Sequence, residues 1–497
     1  MTLDKEQLLK DYHLRLQEIF QLDCIGALLD WDQQVNLPAK GAQSRAEQLE
    51  LMSLLAHNRQ TCKEFQGLVN ALGDQLDTLS SDDQVNVRES KYQLEKSLKL
   101  PETFIAQKSR ARSAAYVAWI KARKANDFAL VKDELQTNIS LSRQEANYLG
   151  YEETPYDALL DNYEPGSKLS IIKGPLFALA DELKEILPGV LKATKSAPPF
   201  GNHFEIPQQK ALNERVARDL GYDFEGGRMD IAPHPFMTTL GAHDKRITTR
   251  YDQSDYLSSL LTAIHEVGHA LYEQGLPSEH AGTPRGNTIS LSIHESQSRI
   301  WENIVGRSKP FAKYLLGLLG EYFPEEAARA SVDHIWHRLN SVRPSLIRVE
   351  ADEVTYSLHV VIRMILEEEV INQGLDVEEL PTRWNELYQQ YLEVEVPDDA
   401  NGVLQDVHWY GVGMGYFPTY ALGNLYSTIM MEKITENVTE IDQKVSNGNF
   451  VEILAWLRKN VHQIGMTLRG PELAEKISGD KLSHAPFIKY IKGKFEL

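Results

Sequence analysis

Cysteine is nearly absent: the 497-residue chain has two, Cys24 and Cys62. A disulfide framework is not expected, and the two thiols read as inert small hydrophobes in a reducing compartment. No run of about 18 apolar residues exists to cross a bilayer. The opening stretch, MTLDKEQLLKDYHLRLQEIF, carries charge throughout and lacks the apolar centre of a secretion signal. Positive charge is also scarce. Lys and Arg total 52 against 71 Asp and Glu, a formal net charge of −19. Such a surface repels phosphate backbones, so nucleic acid is not an expected partner. Gly/Ser linkers, low-complexity tracts and fixed-period repeats are missing too. What is left reads as a cytoplasmic globular protein, 42% hydrophobic and 25% charged. Length alone would allow several domains, but no boundary is visible, and a single unit over 1–497 is expected, with two lobes around a cleft.

Helical periodicity dominates. Leu8, Tyr12, Leu16, Ile19 and Leu22 recur at three- and four-residue steps. KLSIIKGPLFALADELKEILPGVLKA reads as a helix punctuated by Pro175 and Pro188, and further helices are predicted over 312–320, 325–340, 354–372, 381–393 and 421–446. The region 200–252 is the least helical. Its DKRITTRYD stretch, 244–252, is the clearest strand, so a small sheet is expected there. The predicted fold is mainly α: one large helical body around a cleft, with a small β-sheet beside the helix described next.

That helix contains LLTAIHEVGHALYEQG, residues 260–275. Leu257, Leu260, Leu261, Ile264, Val267, Gly268 and Leu271 form its apolar stripe. Asp252, Ser254 or Asp255 is placed to cap its start, and Gly275 with Pro277 to stop it. His265 and His269 then lie one turn apart on one face, a spacing at which both imidazoles reach one ion. Glu266 points about 100° away around the helix. It is out of position as a ligand but able to act on a water held at the ion, as a general base. Zinc catalysis needs three protein ligands and one open position. NTISLSIHESQSRIWENIVG, 287–306, reads as the next helix, returning antiparallel after a Pro/Gly turn. Glu295 is chosen as third ligand, with His294 as its supporting neighbour.

Motifs spread along the chain then resemble one family. LLDWDQQVNLPAKGAQSRAEQLE (28–50) is similar to its N-terminal WDxxTxMP…RAEQ stretch, with Val35 and Leu37 departing from the pattern. In family order follow His234-Pro235-Phe236; Asp244, Arg246 and Thr248; His265 to His269; His294 to Gln297; Ile347, Arg348, Ala351 and Asp352; Gly402, Gln405, Asp406, His408 and Trp409; and GYFPTYALGN at 415–424. The chain resembles the carboxypeptidase Taq family of metallocarboxypeptidases. The resemblance implies a mostly helical, saddle-like body with a long cleft, commonly a homodimer. It implies one Zn²⁺ or Co²⁺ per chain held by His265, His269 and Glu295, with Glu266 as base. It also implies removal of single C-terminal residues from peptides, with broad specificity and poor action beside proline.

Hydrolysis needs fixed donors for the developing oxyanion; His408 and Tyr420 are the candidates. A carboxypeptidase must also bind a free carboxylate, and a guanidinium fork suits that task. Arg348 is favoured, near a helix that Asp352 could cap; Arg246 and His234 are further substrate-binding candidates. The 244–252 strand is expected to hold substrate as an added strand along a sheet edge. Two other readings remain: a zinc endopeptidase or dipeptidyl carboxypeptidase, and a peptide-binding protein without activity.

Overall fold

The predicted periodicity becomes helix over most of the chain. The computed structural model describes residues 5–194, 197–201 and 203–497. The first helix, α1 (Lys5–Val35), buries Leu8, Tyr12, Leu16 and Ile19 along one stripe. With Phe65, Leu68, Val69 and Leu72 these form a small core of their own. A second, much larger core runs from Ala115 to Phe495. Leu169–Ala193 is one continuous helix through Pro175 and Pro188, not a punctuated one. Each proline removes a helical hydrogen bond. The buried stripe of Leu176, Leu179, Leu183 and Leu187 holds the helix together across both.

The 200–252 region is more helical than its composition suggests, since Ile206–Leu220 is a helix. The expected sheet follows it, with three strands: β1 (Met229–Ile231), β2 (Met237–Gly241) and β3 (Asp244–Thr249). Their order is β1-β3-β2, with β1 parallel and β2 antiparallel to β3. The strand predicted over 244–252 therefore ends at Thr249 and is the central strand. Its hydrogen-bonding edges are both taken, so it cannot receive a substrate strand. Only β1 and β2 have outer edges.

Helix α2 (Tyr256–Gly275) packs on this sheet. Of the three candidate caps, Asp255 serves, its carboxylate accepting from Leu257 N at 3.1 Å. Leu257, Leu260, Ile264, Val267 and Leu271 are all 5% exposed or less, each worth roughly 1.5–3 kcal/mol of burial. Helix α3 (Leu291–Arg299) begins at the N-cap Ser290 and passes into a π turn over Ile300–Val305. The 354–372 prediction becomes α4 (Tyr356–Glu368) and a second π turn, Glu369–Gln373. Asp352 does cap this region, accepting from Val354 N and Thr355 N.

Two predicted helices are each split. The 325–340 segment forms Pro324–Ala327 and Val332–Leu339, because Ser331 caps a new start by accepting from His334 N. The 421–446 segment forms α5 (Pro418–Asn437) and Ile441–Ser446, separated by Glu440 at a left-handed φ of 53°. Helices 312–320 and 381–393 appear as Lys309–Tyr322 and Leu380–Leu392.

Two fully buried carboxylates brace this core. Glu164 accepts from Ser290 Oγ, Ser292 N and Ser292 Oγ at the start of α3. Glu367 accepts from Tyr156, Trp409 Nε1 and Gly415 N. Burial pushes both up to about 7, against the hydrogen bonds that lower them. Between pH 4.5 and 7 the folded state then holds more protons than the unfolded chain. Their contribution to stability is greatest below pH 4.5 and is lost as pH rises to about 7, by about 3 kcal/mol per group. In Glu164→Gln the stability relative to the parent should therefore rise by that order between pH 5 and 8. Denaturant unfolding across this range checks it, and a pH-independent difference would contradict it.

Candidate active site

Helices α2 and α3 run antiparallel, as the pairings His265 with Glu302, Gly268 with Ser298 and Glu273 with His294 show. Gly268 sits at the crossing. A Cβ there would lie 2.6 Å from Ser298 Cα and 2.8 Å from Gln297 O. The missing side chain lets the two backbones approach, and the approach brings Glu295 under the two histidines.

His265 Nε2, His269 Nε2 and Glu295 Oε2 face one point. They are separated by 3.2 Å (His265–His269), 3.5 Å (His269–Glu295) and 3.7 Å (His265–Glu295). A tetrahedral ion with bonds of about 2.0–2.1 Å requires its ligand atoms to be about 3.3 Å apart. The three atoms thus fit a small divalent ion without rearrangement, and they are the described cluster with metal-ligand spacing. Burial alone would lower His265, but Glu295 and Glu302 outweigh it and raise the imidazole to about 9. Burial and the charges of His294, His265 and Arg299 push His269 well down, so the pair favours one positive charge and not two.

Each histidine's other ring nitrogen is held. His265 Nδ1 meets Glu302 at 2.8 Å. His269 Nδ1 meets His294 Nδ1 at 2.5 Å, and His294 Nε2 meets Glu273 at 3.3 Å. His294 thus hydrogen-bonds to His269 and is not among the three residues whose atoms face one point. Glu273 also lies beside Lys245 and Thr239 of the sheet. Such contacts fix the tautomer and the ring plane. Glu266 is 6% exposed and its carboxylate accepts no hydrogen bond. Burial pushes it up to about 7, His265 opposing.

A second cluster adjoins the first. Asp406 is shared by two buried guanidiniums, Arg348 through Nε and Nη2, and Arg363 through Nε. Arg348 Nη1 donates to Tyr356 at 2.9 Å. The Tyr356 ring lies under the Arg299 guanidinium at 4.5 Å, and Arg299 binds Glu295. That ring connects the two clusters. His408 Nε2 meets Tyr420 Oη at 3.2 Å, and Tyr416 hydrogen-bonds to Tyr420. Burial lowers His408 to about 4, so it is neutral at ordinary pH.

The other two candidates are elsewhere. Arg246 pairs with Asp244 on its own strand and covers Trp31 of α1 at 4.5 Å. His234 is exposed in the β1–β2 connection and hydrogen-bonds to none of the cluster. Sequence reasoning missed Glu273, Arg299, Glu302, Tyr356 and Tyr416. The first three repeat at three- or four-residue steps from His269 and Glu295, a signal that was present in the sequence.

With this geometry in place, comparison with known proteins is decisive. The profile of the carboxypeptidase Taq (M32) metallopeptidases matches residues 11–495. The chain belongs to this family. Carboxypeptidase 1 of Bacillus subtilis is 37% identical over 98% of this chain and 97% of its own. Thermostable carboxypeptidase 1 of Thermus thermophilus is 38% identical over 96% of each. Among solved structures, the M32 carboxypeptidase of Deinococcus radiodurans superposes with a TM-score of 0.95 at 36% identity, covering 98% of this chain and 99% of its own. As an M32 metallopeptidase the chain uses a divalent metal and acts on peptides. No helix among the described residues is long and apolar enough to cross a membrane.

Proposed function

We propose that this M32 peptidase is a zinc- or cobalt-dependent carboxypeptidase that releases single C-terminal residues with broad specificity. The observation that carries the reading is the triangle of His265, His269 and Glu295 with an unpaired Glu266 carboxylate beside it. When bound, the ion supplies a Lewis acid and makes a water at the site acidic enough to attack at neutral pH.

Glu266 takes the proton from the attacking water and returns it to the leaving amine. Its setting, buried and without donors, favours the protonated form that the second step needs. Beside a divalent ion held by His265, His269 and Glu295, the Glu266 carboxyl would shift toward the ionised form that the first step needs. His408 and Tyr420 donate to the developing oxyanion; neutral His408 keeps an N–H for this. Two guanidiniums against one carboxylate leave the Asp406 cluster with net positive charge, and this draws the terminal carboxylate of the peptide. Arg348 donates three of its five N–H groups within the protein, leaving two for substrate. These groups bind backbone and terminus, not side chains, which accords with broad specificity. A single peptidase unit over the whole chain, a homodimer and a cytoplasmic home belong to the same proposal, with light scattering as the check on the dimer.

Stripping the metal and restoring Zn²⁺ or Co²⁺, with product masses followed on a peptide, tests the reading. Single residues should appear only with metal. Dipeptides or internal fragments would favour the dipeptidyl carboxypeptidase and endopeptidase alternatives, and no cleavage the binding-protein one. Arg348→Ala should lower kcat/KM for trimming by at least about tenfold while metal content stays equimolar, since a charged hydrogen bond contributes about 1.5–3 kcal/mol. Unchanged kcat/KM would move the carboxylate contact to another residue.

A further inference from the structure

Glu295 has two oxygens, and only one faces the histidines. Oε1 is held by Arg299, one turn on, through Nε at 2.7 Å and Nη2 at 2.7 Å. Oε2 is the atom 3.5 Å and 3.7 Å from the two imidazole nitrogens. The same guanidinium uses its third nitrogen, Nη1, on Glu302 Oε2 at 3.2 Å, and that oxygen is the one bonded to His265 Nδ1. One arginine therefore touches the carboxylate behind two of the three ligand positions. It is 9% exposed and caged by these carboxylates and the Tyr356 ring.

The π turn completes the arrangement. Over Ile300–Val305 the helix carries an extra residue per turn, with Gly306 N bonded five residues back to Trp301 O at 2.8 Å. In an α-helix, residues five apart do not share a face. Here Arg307 reaches Glu302 Oε1 at 3.1 Å, while its Nη1 is anchored on Leu339 O at 2.7 Å. Glu302 is thereby gripped from both sides, by Arg299 and Arg307. π turns are rare and are frequent at functional sites; this one aligns a carboxylate with a histidine.

We propose that Arg299 is a positioning residue that makes Glu295 a one-oxygen ligand and, through Glu302 and the π turn, fixes His265 with Nε2 toward the ion. The inference rests on the metal-site reading above. Its consequence is a coordination number. With Oε1 occupied by Arg299, Glu295 supplies one oxygen and the shell keeps its open position; without that hold, the carboxylate can turn both oxygens inward.

The test uses the full-length protein loaded with Co²⁺, whose visible d–d absorption weakens as coordination number rises, and Zn²⁺ affinity by chelator competition. Neither requires turnover. Arg299→Gln is expected to weaken Zn²⁺ by about 10- to 100-fold and to lower the Co²⁺ absorbance. Arg299→Lys restores charge but not the fork, so affinity should partly recover while the lowered absorbance persists. Glu302→Gln should weaken affinity yet leave the Co²⁺ absorbance as in the parent, because Glu295 keeps its arginine; it also serves if Arg299→Gln does not fold. Parent-like spectra and affinity in both Arg299 variants would overturn the proposal. A parent protein that bound neither ion would instead overturn the metal site itself.

Discussion

Glu266→Gln should keep its metal and lose kcat by roughly a thousand- to ten-thousand-fold, the scale of a general base. That corresponds to about 4–5.5 kcal/mol of activation free energy. The substitution is nearly isosteric, and the three ligand atoms belong to other residues, so metal content should not change. Stability above pH 7 should hold or rise, because burial disfavours the ionised Glu266 and raises its carboxyl to about 7. Metal analysis, kcat and a thermal melt on one preparation give the answer. Loss of the metal along with activity would make Glu266 a ligand or its support, and retained activity would remove it from the chemistry.

Gly423→Ala should empty the site from the opposite direction. Gly423 lies in α5 against α3, where an added Cβ would sit 2.6 Å from Glu295 Cγ and 2.8 Å from its Cβ. No real Cβ tolerates such contacts, and Glu295 cannot swing away without leaving Arg299. The methyl must push Glu295 off the point it shares with His265 and His269. Metal affinity should fall by at least about 100-fold, more than for a residue that only supports a ligand. Overpacking should cost about 1–3 kcal/mol as well. Unchanged metal affinity would mean that α3 moves as a body and carries Glu295 with it.

These two residues show what the sequence discloses and what it withholds. Glu266 is legible because its neighbours in space are its neighbours in a helix: His265 and His269 are one turn apart, and the apolar stripe with its cap fixes which way they face. Glu295 is legible by a weaker route, through the need for a third ligand and a second helix starting after a turn. Gly423 carries no such sign. Its role exists only where α5 crosses α3, and nothing local sets that crossing. The same holds for Arg348. The sequence shows an arginine near a capped helix, but its partner Asp406 is 58 residues away and brings Arg363 with it. What read as a free fork is part of a buried, positively charged group.

The expected sheet is present, but the role expected of its 244–252 strand failed for a related reason. β-branched residues mark 244–249 as a strand, but alternation cannot tell a central strand from an edge, and pairing on both sides removed it from substrate binding. The split helices have local causes. Ser331 was a readable N-cap that a long apolar period obscured, whereas the left-handed φ of Glu440 has no sign in a glutamate's identity.

The central claim is that the site reads a free C-terminal carboxylate next to a metal-held scissile bond. The most direct measurement gives the metal-loaded protein one peptide in two forms, free acid and C-terminal amide, and follows both by mass spectrometry. Stepwise loss of single residues from the free acid, with the amide left intact, is the predicted result. Equal cleavage of both forms, at internal bonds or at the end, would contradict it.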